Sequence, residues 1–217
     1  MKIKHVFRLS IFAASFSIAL LGCKKNSTDT TTQTTTTTTD LQTSSDDLTM
    51  VSNENDAVSN DAVAALNGNV SVSGRMEGID NIKITVCDAT ITYDTTSTTK
   101  TVTIVYNGSN CSGNRTRTGT VTIAVPKGQH WNKAGSVATI TIDALTITRV
   151  KDGKTIIING TKTITNTSGG LIQNLATLGS IVNDVSANLS ITFKSGLVRS
   201  WQTSKHRVFT YDNGIVE

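Results

Sequence analysis

The stretch Ile140-Thr141-Ile142-Asp143-Ala144-Leu145-Thr146-Ile147 decides the fold. Ile140 and Ile142 alternate with Thr, and Leu145 and Ile147 alternate with Thr again in the opposite phase. Alternation at period two is the mark of a half-buried strand. A phase slip at Asp143-Ala144 predicts a β-bulge, because one extra residue moves every later side chain to the other face.

Working outward, the same pattern repeats. Val102, Ile104 and Tyr106 share a face, as do Val121, Ile123 and Val125. Ile156 and Ile158, then Leu189, Ile191 and Phe193, continue it. A further slip at Cys87-Asp88 separates Ile82-Lys83-Ile84-Thr85-Val86 from Ala89-Thr90-Ile91-Thr92-Tyr93. The opposite faces are mostly Thr, which suits a strand and tolerates water. Asp152-Gly153 and Ser195-Gly196 read as hairpin turns, and Asn107-Gly108 opens the loop carrying Cys111. Gly169 to Asn183 interrupts the strands, with Leu171, Leu175 and Leu178 spaced for a short covering helix. The expectation is an all-β domain over 68–217, a mostly antiparallel meander forming a sandwich or an open, barrel-like sheet.

The N-terminal part has a different composition. Lys2, Lys4 and Arg8 precede the apolar run Ile11 to Leu21, which is shorter than the roughly 20 apolar residues of a membrane-spanning helix. This reads as an export signal over 1–22. Leu20-Leu21-Gly22-Cys23 resembles the lipobox of bacterial lipoproteins, which implies acylation of Cys23 and cleavage before it. Lys24 and Lys25 stand where an Asp would retain many lipoproteins at the inner membrane, so the outer membrane is the expected location, with the membrane as partner through the lipid. With Cys23 taken by lipid, Cys87 and Cys111 remain as a pair, and in an oxidising compartment a bridge is expected. It would close a loop of about 25 residues and stabilise by roughly 3–4 kcal/mol.

Residues 23–67 read as a tether. Thr30 to Thr39 is Thr interrupted only by Gln33, and Asn26 to Ser45 is expected to be disordered. Asp29-Thr30-Thr31 resembles the Asp-Thr-X site of O-glycosylation in Bacteroidota, which makes Thr30 a candidate acceptor. Asp46 to Leu66, with Leu48, Val51, Val58, Val63 and Leu66, reads as a marginal helix or more tether.

Charge is divided along the chain. The whole sequence has a net charge of +4. From Asn26 to Asp80 there are nine acidic residues against one basic, whereas from Asn81 to Glu217 there are 14 basic against seven acidic. The two parts would attract each other weakly through screened charge.

No motif names a reaction. The chain has no His-Glu-x-x-His, no Gly-x-Ser-x-Gly, no phosphate-binding loop and no calcium loop. His130 and His206 read as surface residues, and no cofactor or metal site is expected. A hydrolase would need two facing carboxylates; Asp88, Asp143 and Asp184 are the candidates. Two basic runs stand out as a candidate binding face: Arg115 with Arg117, and Arg199, Trp201 and Arg207 at period two on one side of a strand. Stacking and charge there would suit an anionic glycan, a polymer or a lipid headgroup, and a glycan or an envelope protein is the expected partner besides the membrane. The alternative for these side chains is that their stems cover the core rim. Nucleic acid does not fit an anchored, exported chain without a groove-reading motif.

Cys87-x-x-Thr90 leading a strand, Cys111 before Gly113-Asn114-Arg115-Thr116-Arg117-Thr118-Gly119, then Gly160-Thr161-Lys162-Thr163-Ile164-Thr165-Asn166 and the Trp201 strand ending in Arg207 occur in that order behind a lipobox and an acidic segment. This order resembles a group of lipoproteins exported by Bacteroidota. The resemblance implies a β-rich domain carrying a paired Cys and supplies no activity. The expected role is binding a ligand or serving as a structural element of the envelope, with a glycan hydrolase or an assembly subunit as alternatives.

Overall fold

The computed structural model describes residues 34–68, 86–212 and 215–216, with side chains over 42–68 and 86–212. The signal and lipobox, Cys23, Thr30 and most of the strand expected at Ile82–Val86 lie outside the described residues. Eight strands follow in chain order: β1 (Ala89–Asp94), β2 (Lys100–Ser109), β3 (Arg115–Val125), β4 (Ser136–Arg149), β5 (Thr155–Asn166), β6 (Ser180–Phe193), β7 (Val198–Tyr211) and β8 (Ile215–Val216). Each pairs antiparallel with its sequence neighbour, giving one sheet in the order β1 to β8. β1 and β8 end that order and do not pair with each other, so the sheet is open rather than a closed barrel. The described residues contain no second sheet to complete a sandwich; the inner face packs on a helix.

That helix, α1 (Thr34–Asn67), is longer and more structural than the sequence reading allowed. The Thr run expected to be disordered is helical from Thr34. Thr43–Glu217 form one compact unit, which places most of α1 with the sheet rather than with a tether ending at residue 67. The segment is rich in Thr, Ser and Asn, which are middling helix formers, but it contains no Gly or Pro, and packing decides the outcome. Val51, Val58, Val63 and Leu66 are buried as the stripe required, together with Met50, Ala62 and Ala65, while Leu48 is exposed.

The sheet's inner residues are those the alternation selected. Val102, Ile104, Val121, Ile123, Ile140, Ile147, Ile156 and Ile158 are completely buried. The slip in β4 is real: register shifts between Ile142 and Leu145 on the β5 side. Ala144 there has a φ of 48°, and its N–H donates to Asn159 Oδ1 at 2.8 Å. The opposing residue of β3, Gly119, has a φ of 123°, and a Cβ on it would lie 2.6 Å from the Ala144 carbonyl oxygen. Only Gly lets the two backbones approach this closely.

Both hairpins form as expected: Gly153 N–H donates to Arg149 O at 2.9 Å, and Gly196 N–H to Phe193 O at 2.8 Å. Asn107-Gly108 stays within β2, and the turn lies beyond it at residues 110–114. The interruption after Gly169 is shorter than expected, because a 3-10 turn (Ile172–Asn174) and α2 (Leu175–Leu178) end where β6 starts at Ser180. Cys87 and Cys111 form a disulfide with their Cα atoms 5.2 Å apart. Trp131 is buried, and Asn166 Nδ2 donates to its carbonyl at 2.7 Å.

Candidate functional site

The middle of the contact between α1 and the sheet is polar. Its carboxylates come from the acidic N-terminal part and its cations from the basic body, so the charge division of the sequence becomes a set of specific pairs. Asp46 accepts from Arg149 and Lys154 at 2.7 and 2.6 Å, and Asp47 forms an ion pair with Lys154 at 2.5 Å. Further along α1, Glu54 pairs with Arg115 at 2.8 Å, Asp56 with Lys205 at 2.7 Å, and Asp61 with Arg117 at 2.7 Å. The weak, screened attraction expected from the sequence understates this. Several of these groups are buried, where screening by salt is small.

Arg117 is the centre of the seam. Its Nε and Nη2 donate to the two Asp88 oxygens at 2.6 Å each, in a bidentate fork. Its guanidinium also lies 4.3 Å from the Tyr106 ring centre, and Tyr106 donates to Asp61 at 2.9 Å. Burial and the Asp61 carboxylate push the Tyr106 phenol well above its usual range. Neighbouring Lys162 is 1% exposed, and its Nζ donates to Asn55 O and Ser59 Oγ of α1 at 2.5 Å each. Burial, with the Arg207 and Lys205 charges, pulls its ammonium down to about 7 against the pull of Asp56.

The five residues expected to form a binding face therefore divide. Arg115 and Arg117 point inward together and are held by Glu54, Asp61 and Asp88. Arg207, also buried, donates to Asn60 of α1 and lies over the Phe209 ring. Trp201 is half-buried against the core. Arg199 is exposed and sits 5.4 Å from the Phe193 ring centre. The period-two reading of β7 holds, but the inward face it defines meets α1 rather than solvent, so these residues do not form an open basic strip.

An open cleft of about 440 Å³ lies beside the seam. It is lined by Thr49, Met50, Asn53 and Glu54 of α1, by Gly113, Asn114 and Arg115 of the β2–β3 turn, and by Arg149, Val150 and Lys151 of the β4–β5 turn. Desolvation raises the Glu54 carboxyl, opposed by Arg115 and Arg117. Sequence reasoning included Arg115 and missed the rest of this cleft, because it is assembled from three separate segments. It also missed Lys162, although the alternation Ile156, Ile158, Gly160, Lys162, Ile164 places that lysine on the inner face.

The hydrolase candidates are not brought to this cleft. Asp88 is buried under Arg117, Asp143 is exposed at the β4 bulge, and Asp184 is on the outer face. Asp184 accepts from Thr167 at 2.9 Å and lies 2.6 Å from His206 Nδ1, and those contacts lower its carboxyl from the usual range. The described residues contain no cluster of His, Cys, Asp and Glu able to hold a metal ion. Comparison of the chain with protein-family models, curated proteins and solved structures gives no match.

Proposed function

We propose that the chain is a lipoprotein anchored to the outer membrane through Cys23, whose folded unit binds a ligand in the envelope. The anchor is supported by the basic start, the apolar run and Leu20-Leu21-Gly22-Cys23 in register. Two or more acyl chains give durable attachment where one is marginal. Binding rests on a single observation, the cleft of about 440 Å³ between α1 and two hairpin turns. Its size is within the range of small-molecule sites, and its lining mixes the apolar side chains of Met50 and Val150 with polar groups from three segments. A glycan hydrolase has less support, because Glu54 is the one carboxylate lining the cleft and it is ion-paired.

The anchor is tested by growing cells with labelled palmitate and comparing the natural chain with Cys23→Ala. The natural chain should carry label and sediment with membranes, and the variant should lose both properties. Label persisting on the variant would overturn the anchor.

A further inference from the structure

We propose that the cleft takes the free carboxyl terminus of a short peptide ending in an apolar residue. This rests on the binding reading above and specifies its ligand. Charge comes first. The cleft is lined by three cations, Arg115, Arg149 and Lys151, and one carboxylate. The charge of that carboxylate is matched within the protein, since Glu54 Oε1 accepts from Arg115, while Oε2 is buried without a hydrogen-bond partner among the described residues. Arg149 is neutralised from behind by Asp46 and Asp152. Lys151, exposed at the tip of the β4–β5 turn, interacts through its charge with the adjacent Asp152 but forms no salt bridge among the described residues. Arg115 commits Nη1 to Glu54, and its Nη2 makes no hydrogen bond among the described residues. The positive charge that reaches the opening therefore comes from Lys151 and the outer edge of Arg115.

The neutral lining narrows the class further. Asn114 Oδ1 accepts from Asn110, which leaves its Nδ2 as a donor, and the exposed side chain of Asn53 offers both a donor and an acceptor. These match the C=O and N–H of a peptide bond. The buried Met50 and the exposed Val150 of the lining supply an apolar contact for one side chain. A carboxylate, one amide and one apolar side chain are the elements of a C-terminal residue.

The test uses the full chain, isotope-labelled and held in neutral detergent micelles, titrated with three probes. N-acetyl-leucine carries all three elements, N-acetyl-leucinamide lacks the charge, and 4-methylpentanoate lacks the amide. N-acetyl-leucine should shift the backbone amides of Asn53, Asn114 and Lys151 and bind at least about fivefold more tightly than either other probe, through the charge-assisted bonds that N-acetyl-leucinamide lacks and the amide hydrogen bonds that 4-methylpentanoate lacks. Lys151→Gln, a change at an exposed turn, should weaken N-acetyl-leucine about threefold, the scale of one exposed charge pair, and leave the amide probe unchanged. Equal binding of N-acetyl-leucinamide would overturn the anionic ligand while leaving the site in place. Equal binding of 4-methylpentanoate would overturn the peptide. No shift at these residues with any probe would overturn the site itself, and with it the binding half of the proposed function.

Discussion

Lys162 shows how one side chain can tie the stability of this domain to pH. It is buried beneath α1 with two neutral acceptors, Asn55 O and Ser59 Oγ, and without a carboxylate in direct contact. Desolvation lowers its ammonium from 10.5 to about 7, with Lys205 and Arg207 adding to the shift and Asp56 opposing it. Between those two values the unfolded chain holds a proton that the folded protein has lost. Stability contributed by this residue therefore rises with pH across that window, and below about 7 the full cost of a buried charge is present. Lys162→Met should flatten the pH dependence between about 7 and 10 and raise stability at pH 6 by a few kcal/mol, the cost of a poorly paired buried charge. Urea unfolding of both proteins at pH 6, 8 and 9.5 measures this, and parallel curves would refute it. Arg117 is the opposite case. Its charge is matched by two carboxylates in good geometry, and Asp88 would be stranded without it. The adjacent arginines of the sequence motif, read for binding, are thus integral to the packing of α1.

At the level of elements, the strands were legible in the sequence because their period is two and the core needs one apolar face. The slip at Asp143-Ala144 was legible for the same reason, and the bulge falls there. What was not legible is how closely neighbouring strands approach each other. That depends on glycines whose reason lies in a neighbouring strand. Gly160 of β5 has a φ of 130°, and a Cβ there would lie 2.4 Å from Asn188 O of β6. Gly119 has the same relation to β4. No local pattern shows such a contact. Gly160→Ala should cost about 1–3 kcal/mol, through strained φ and a forced separation of β5 and β6. Thermal melts should show it, and Gly153→Ala, in an open turn where an added Cβ meets nothing, separates backbone strain from steric contact. If the two variants melt alike, close packing at Gly160 is not what fixes that glycine.

For the whole molecule the question is where the folded unit begins. From composition the boundary falls at residue 68, because the preceding segment is polar and its apolar stripe is thin. The ligand cleft was equally hidden, since α1 had to be part of the domain before Thr49, Met50, Asn53 and Glu54 could face the hairpin turns. The hidden signal was charge. Acids on α1 face cations on the sheet, and the inner side of the helix alternates buried apolar residues with paired polar ones. A sheet this open has one face that must be covered, and the described residues contain no second sheet to cover it. Without α1, Arg115, Arg117, Lys162 and Arg207 would lose partners at once, and the apolar inner face would meet water. A chain comprising 68–217 is therefore expected to be aggregated or unfolded, while one comprising 43–217 should melt cooperatively with the near-ultraviolet signal of its buried Trp131 intact. Circular dichroism and sedimentation of the two chains decide between the boundaries. Cooperative folding of 68–217 alone would show that α1 is an accessory laid on a self-sufficient sheet, and the cleft would then have to be regarded as a removable feature of the domain.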